Sequence, residues 1–532
     1  MLEIGYAHRP VALGREGMVA SAHPLASLTG IELLKSGGTV ADAAVAVNAV
    51  LNVTQPYCCG VGGDFFCLYY EAKTRRLHFL NGAGRSGSRA SLPELKRRKL
   101  RQVPALGPGA VSVPGCVRAW SMLLERFGTR PLGALLAPAI HYAEAGFPTT
   151  RLVSQATAER LKVIEDPEWR RIYAPDGRVP VMGELLKQPD LAVTLKALSQ
   201  DGPDLFYRGR IAKAIATRLH AEGFVTTDDL AAHTGQWGEP LSVEYRGFRV
   251  YATPPPTQGL ATLLALNHLE GFDLARVSYH SADHLHLLVE MTKLAYADRN
   301  RWIADPSEVK VPVEGLLSKD YAARRRTAFD PKRARTFRSG DPTGDTTGFV
   351  IADGRGNMIG VIQSLFSAFG SGVVPAGTGV ILHNRGSYFN TDPAHPNCFG
   401  PSKRPFHTLM VTMVTRGEGL VMGLATMGAD GQAQFHAQVL TNALDFQMDI
   451  QEAIERPRFL MGRFKPGESG DSLKVEGRIG RRALGGLERR GHRVEAVSDF
   501  YQQMGHAHGI VVGDGTLMGG ADPRGDGAAL GY

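Results

Sequence analysis

Residues 40–53, VADAAVAVNAVLNV, carry small or branched apolar side chains on nearly every face of a helix. A helix that is apolar all round leaves no face for water, so it must be enclosed between other layers. Thr39 stands at its N-cap with Asp42 three residues on, a variant of the capping box that fixes where the helix starts. Upstream, residues 23–34 show helical spacing and run into Gly37-Gly38, a C-cap signal. Downstream, residues 65–71 and 77–81 read as two strands joined by a polar turn. The enclosed helix is therefore expected to lie against a sheet.

The rest of the chain alternates between helical blocks and strand pairs. Residues 113–317 read as mainly helical, with Pro254-Pro255-Pro256-Thr257-Gln258-Gly259 as the main break. Residues 330–344, rich in Arg, Pro, Gly and Asp, read as an exposed, flexible segment. A hairpin follows at 347–353 and 358–363, turning at Gly354-Arg355-Gly356-Asn357, and another at 409–415 and 420–426. A helix is expected over 432–444, with short strands after His492. Strand pairs between helical blocks predict antiparallel sheets covered by helices, an α+β fold. No internal repeat or linker divides the chain.

Composition narrows the function. Of 532 residues, 43% are apolar and 21% charged, as in an ordinary globular enzyme. The net charge of +8 sits largely in residues 96–99 and 324–338, and no aromatic platform of the kind that binds nucleic acid interleaves these basic residues. The five cysteines, Cys58, Cys59, Cys67, Cys116 and Cys398, lack metal-ligand spacing and read as reduced, buried thiols. The first 17 residues have no apolar core for a secretory signal, and no stretch is long enough to span a bilayer, so the expected location is cytoplasmic.

The chemistry concentrates at Gly344-Asp345-Thr346-Thr347-Gly348. An exposed segment leads directly into a threonine at the start of a predicted internal strand. A threonine hydroxyl needs a base within hydrogen-bond reach to act as a nucleophile. Cutting the Asp345–Thr346 bond would place a free α-amine, with a reference pKa of about 7.7–8, on the same residue as the hydroxyl. Nucleophile and base would then be one residue. The competing reading is an ordinary Gly/Thr/Asp turn entering a hairpin.

The stretch from Thr346 to Gly370 resembles the signature of the γ-glutamyltransferase (glutathione hydrolase) family, in which a threonine pair opens the small subunit. Further blocks resemble the family in order: Gly17-Met18-Val19-Ala20-Ser21-Ala22-His23-Pro24, Asp42-Ala43-Ala44, Gly60 to Asp64, Val113-Pro114-Gly115, Pro254 to Gly259, Ala295-Tyr296-Ala297-Asp298-Arg299, Lys403-Arg404-Pro405 and Ala521-Asp522-Pro523-Arg524. The resemblance implies a four-layer αββα sandwich of the N-terminal-nucleophile hydrolases. It implies self-cleavage between Asp345 and Thr346 into a large subunit, 1–345, and a small subunit, 346–532, intertwined as one domain. Thr346 is then the catalytic nucleophile, Ser364 its supporting hydroxyl, and Gly428-Ala429 the source of oxyanion-hole N–H groups. No cofactor is implied. The expected partners are a small-molecule amide and the two subunits for each other, with a homodimer as a further candidate assembly; nucleic acid and membranes are not expected.

Departures from the family pattern all concern substrate recognition. Where the family has an arginine for the substrate α-carboxylate, the sequence has Ala83, with Arg85 two residues on. The position of the aspartate for the α-amine is Tyr388, and that of an asparagine is Phe366. A serine pair is replaced by His407-Thr408, and a glutamine by Arg385. Arg385 and Arg85 are candidate cations for a carboxylate, with His407, Thr408 and Tyr388 as further lining residues, while the anion for an ammonium is lost from the pattern. Two substrates follow: a γ-glutamyl amide such as glutathione, or a small carboxylate-bearing amide such as oxamate. An inactive scaffold is the third reading. His280, His284 and His286 do not share one helical face and have no matching carboxylate set, so no metal is expected.

Overall fold

The computed structural model describes residues 7–335, 345–462 and 471–532, with Asp345 described through its backbone. The expected exposed segment at 330–344 therefore lies outside the described residues from 336 onward.

Two seven-stranded sheets form the centre. One runs in the order Ala528–Gly531, Gly17–Ser21, Asp345–Asp353, Met358–Phe366, Asp64–Glu71, Arg76–Asn81, Gln236–Gly238. The other runs Ala12–Gly14, Leu517–Ala521, Ala507–Val512, Gly419–Thr426, Val411–Arg416, Phe248–Ala252, Leu241–Tyr245. Neighbours in both sheets pair antiparallel. Strands from before and after Thr346 are interleaved in each sheet, so neither segment could build a complete sheet alone.

The alternation of side chains along a strand explains the layering. Val350 and Ala352 face the space between the sheets with Phe66, Leu68, Met358 and Ile362, opposite Val411, Met413, Ala425 and Ile510. Phe349 and Ile351 face the other way, into a core shared with Val45, Val47 and Val50 of the helix Val40–Thr54. Every residue of that helix is buried, and its Thr39–Asp42 capping box is formed as expected. Asp42 also accepts the Thr129 hydroxyl at 2.7 Å, which explains a buried carboxylate there. The helices Gly259–Leu269, Ala282–Trp302 and Gln432–Leu444 cover the second sheet. The result is the αββα sandwich.

The region 113–317 is less purely helical than its sequence pattern suggests. Leu241–Tyr245 and Phe248–Ala252 form a hairpin on the edge of the second sheet. Val243, Tyr245, Phe248, Val250 and Ala252 point to the core with a period of two. Its two-residue turn has positive φ at both Arg246 (53°) and Gly247 (78°). That conformation favours Asn or Asp at the first position, so the arginine concealed the turn.

All five cysteines are free thiols, and Cys58, Cys59, Cys67 and Cys116 are buried. Among the described residues no helix is long and apolar enough to cross a membrane.

Candidate active site

Thr346 lies at the start of the strand Asp345–Asp353, paired with Met358–Phe366. The register slips between the pairs Asp345↔Phe366 and Thr347↔Gln363, which leaves one extra residue on the partner strand. Such a bulge re-aims side chains locally. Here it brings the Ser364 hydroxyl to 3.2 Å from the Thr346 hydroxyl, both buried. Ser364 Oγ also accepts the Phe366 N–H at 2.7 Å. Phe366 has φ of +77°, a backbone state rare for a side chain of this size. Thr347 donates to Gln55 Oε1 at 3.0 Å, and Gln55 is the C-cap of the enclosed helix Val40–Thr54. The most constrained helix thus anchors the strand that presents Thr346.

A residue not singled out in the sequence completes this cluster. Gln432 opens the helix Gln432–Leu444 and points Nε2 at Thr346 Oγ1, 3.4 Å away. Its Oε1 accepts the Met410 N–H at 3.2 Å, which fixes the amide orientation. Only its place just after Gly428-Ala429 hinted at such a role.

Gly428 and Ala429 form the turn that enters this helix, with φ of 130° and 49°. A Cβ on Gly428 would stand 2.5 Å from Phe435, so glycine is required there. Gln258 holds the turn from behind, donating to Ala429 O at 2.9 Å and to Thr408 O at 2.6 Å. Arg299 in turn donates to Gln258 Oε1 at 2.8 Å and to Asp430 Oδ2 at 3.1 Å. Tyr388 donates to Asp430 Oδ1 at 2.6 Å. Burial and the adjacent Asp430 charge push the Tyr388 phenol well above its ordinary range, so it remains a donor. Gln258, Arg299 and Asp430 lay in resemblance blocks or beside them, but their network is visible only in three dimensions.

A second buried cluster centres on Asp64, the register partner of Ser364. A Cβ on the preceding Gly63 would meet Ser364 O at 2.4 Å, which explains the glycines before it. Asp64 Oδ2 lies 3.0 Å from His383 Nδ1, 3.6 Å from Arg385 Nε and 3.7 Å from His407 Nδ1. Burial opposes ionisation of Asp64, yet His383, His407 and Arg385 outweigh it and hold the carboxyl below the usual range. Burial lowers Arg385 to about 10, partly offset by Asp64, which leaves it charged near neutral pH. Arg385 also stacks 4.2 Å over the Phe366 ring and donates from Nη1 to Thr408 Oγ1 at 3.2 Å. Its Nη2, both His407 ring nitrogens and Asp64 Oδ1 are buried without hydrogen-bond partners among the described residues. Burial drives His407 well below its ordinary range, so its ring is neutral.

The structure thus brings Arg385, His407, Thr408 and, through Asp430, Tyr388 into two linked clusters beside Thr346 and Ser364. Two sequence expectations change. Asp64 and Asp430 place two buried carboxylates in these clusters, each facing an arginine, although the Tyr388 position itself carries no anion. Arg85 is engaged elsewhere: it pairs with the buried Asp305 at 3.0 Å and donates to Ser402 O at 2.8 Å. Ala83, where the family pattern has its arginine, is buried and its carbonyl accepts Arg404 Nε at 3.2 Å.

Known proteins resemble the chain over nearly its whole length. The chain is 39% identical over 528 residues to the glutathione hydrolase-like YwrD proenzyme of Bacillus subtilis, covering 98% of this chain and 99% of that one. It is 37% identical to the oxamate amidohydrolase proenzyme of Klebsiella pneumoniae, covering 97% and 98%. The crystal structure of cephalosporin acylase from Bacillus halodurans superposes with a TM-score of 0.93 at 35% identity, covering 100% of this chain and 99% of that one. The family model described as Gamma-glutamyltranspeptidase matches residues 26–532, and the chain is an enzyme that belongs to this family of N-terminal-nucleophile hydrolases.

Proposed function

We propose that the chain is a self-cleaving amidase whose nucleophile is Thr346 and whose substrate is a small amide bearing a carboxylate. In maturation, the Thr346 hydroxyl attacks the Asp345 carbonyl, and the acyl group shifts from nitrogen to oxygen. Water then cleaves the ester, releasing the Asp345 carboxylate and freeing the Thr346 α-amine. In turnover, that amine takes the hydroxyl proton as Thr346 attacks the substrate amide. The Gly428 and Ala429 N–H groups receive the developing oxyanion, a contribution of roughly 3 kcal/mol per donor. The leaving nitrogen departs with a proton, and water or an acceptor amine resolves the acyl-enzyme. Ser364 and Gln432 hold the nucleophile in place throughout.

The observation that carries the substrate class is the buried surplus of unpartnered donors. Arg385 Nη2 and the His407 ring nitrogens make no hydrogen bond among the described residues, and such groups are costly unless a ligand satisfies them. A planar carboxylate fits a guanidinium edge. An oxo-acid amide such as oxamate supplies that carboxylate without an ammonium. The relatives named as an oxamate amidohydrolase and a glutathione hydrolase-like protein bracket the choice.

One observation favours the second reading, a γ-glutamyl amide. Asp64 Oδ1 has no hydrogen-bond partner among the described residues and offers a site for an α-ammonium. Ammonia release from oxamate, measured beside glutathione hydrolysis by the same preparation, decides between them. Turnover of oxamate with little of glutathione supports the proposal; the reverse assigns the γ-glutamyl activity.

A further inference from the structure

Apart from the Thr346 site, three buried ligating side chains meet where the helix Ala282–Trp302 packs near the start of the strand Arg493–Val497. His286, Glu290 and His492 each offer one ligand atom, and these atoms all lie within 4.8 Å of one another. His286 and Glu290 are four residues apart and so share a helix face. His280 and His284 take no part, which is why the histidine spacing alone gave no metal signal.

The hydrogen bonds fix the protons. His286 Nε2 donates to the Asp330 carbonyl at 2.8 Å, leaving Nδ1 as a lone pair. That lone pair faces His492 Nε2 at 2.7 Å. Metal-ligating histidines commonly anchor their far N–H on a carbonyl in this way.

We propose that His286 Nδ1, His492 Nε2 and one Glu290 oxygen form a site for a divalent transition cation of the zinc class. Two imidazoles and a carboxylate suit zinc, cobalt or nickel, with water in the fourth position. On ligation His492 shifts its proton from Nε2 to Nδ1, so no net proton is released. The facing nitrogens part from 2.7 Å to about 3.3 Å, the span of two nitrogens on a tetrahedral ion. Lys293 sits 2.8 Å from Glu290 Oε1, and the Arg335 N–H sits 3.0 Å from Oε2. The ion replaces one of these contacts while the other steadies the carboxylate.

The placement gives the ion a structural purpose. His286 and Glu290 precede Thr346, and His492 follows it, so the ion staples together the two segments that self-cleavage would create. Neighbours of these ligands hold the last described part of the first segment. Lys293 donates to Arg335 O at 3.0 Å, and the Ala334 N–H donates to Arg490 O at 2.7 Å.

The test is titration of chelator-treated full-length protein with Zn²⁺ and, separately, Co²⁺, beside Glu290→Gln and His492→Asn. One equivalent bound at micromolar metal is expected, with each substitution weakening affinity about tenfold or more. The cobalt spectrum decides even if a variant fails to fold. Tetrahedral bands without thiolate charge transfer support the site. A thiolate band assigns the metal to cysteine and overturns it. So does wild type that takes up no ion, or two folded variants that bind as tightly as wild type.

Discussion

Arg385 and Asp64 are both wholly buried, with Nε and Oδ2 3.6 Å apart, and this pair stands directly beside the strand end that presents Ser364. Breaking a buried pair by removing one partner costs about 3–5 kcal/mol, because the other charge is left uncompensated. A pair this expensive is expected to repay its cost in recognition.

Arg385→Ala should therefore act on both substrate and fold. We expect kcat/KM for a carboxylate-bearing amide to fall about 100-fold, equivalent to roughly 2.7 kcal/mol of lost transition-state binding. Steady-state kinetics on folded variant protein check this. Retention of wild-type kcat/KM would contradict the assignment of Arg385 to the carboxylate.

Ser364→Ala removes one hydrogen bond from the nucleophile without opening a large cavity. Both self-cleavage and turnover should slow about tenfold, the rate equivalent of a bond worth roughly 1.4 kcal/mol. Ser364→Thr keeps the hydroxyl and should recover part of the rate. Time-resolved gel analysis of cleavage and an amidase assay read the two effects separately.

Gly348 departs from the histidine usual in the family, and the structure shows what the space holds instead. A Cβ there would stand 3.0 Å from Ala425 Cβ and 3.1 Å from Ile362 Cδ1, inside the gap between the sheets. Gly348→Ala should cost about 1–3 kcal/mol through overpacking. Gly348→His should cost more, and is expected to impair folding rather than improve maturation. Denaturant unfolding measures the first, and soluble yield the second.

Acid should destabilise the protein well before its carboxylates titrate. Burial lowers His23 to about 4, and burial, then Arg458 and Arg524 against Asp522, lowers His506 to about 4. Unfolded imidazoles take up protons near pH 6.5, so the unfolded state binds more protons between about pH 6.5 and 4. Stability is therefore full above that window and falls as pH drops through it, by up to about 1.4 kcal/mol per pH unit for each such histidine. His23 also caps the helix Pro24–Lys35, accepting the Leu25 N–H at 3.2 Å. His23→Asn keeps a capping acceptor and should flatten the slope, which urea unfolding across the window detects.

Much of this was legible in the sequence because local rules and tertiary demands agreed. The enclosed helix, its capping box, both hairpins around Thr346 and Thr412, and the turn before Gln432 all announced themselves by periodicity and turn chemistry. Thr346, Ser364, Gly428 and Ala429 stand out only through the order of blocks that resemble the family, not through any local rule. What stayed hidden depends on contacts between distant segments. Gln432 meets Thr346 only because two sheets stack, and Asp64 meets Arg385 and His407 only because a strand end and two distant segments converge. Arg85 looked like a free cation, but its partner Asp305 is 220 residues away. The hairpin at 241–252 was missed because an arginine occupies a turn position that usually carries Asn or Asp.

The central claim is that Thr346 is the nucleophile that cuts its own chain, and the intact mass of purified wild type beside Thr346→Ala tests it most directly. We predict two fragments from wild type, divided between Asp345 and Thr346, and a single 57.4 kDa chain from the variant. A wild type that stays whole, or a variant that is cut at the same bond, would contradict the account.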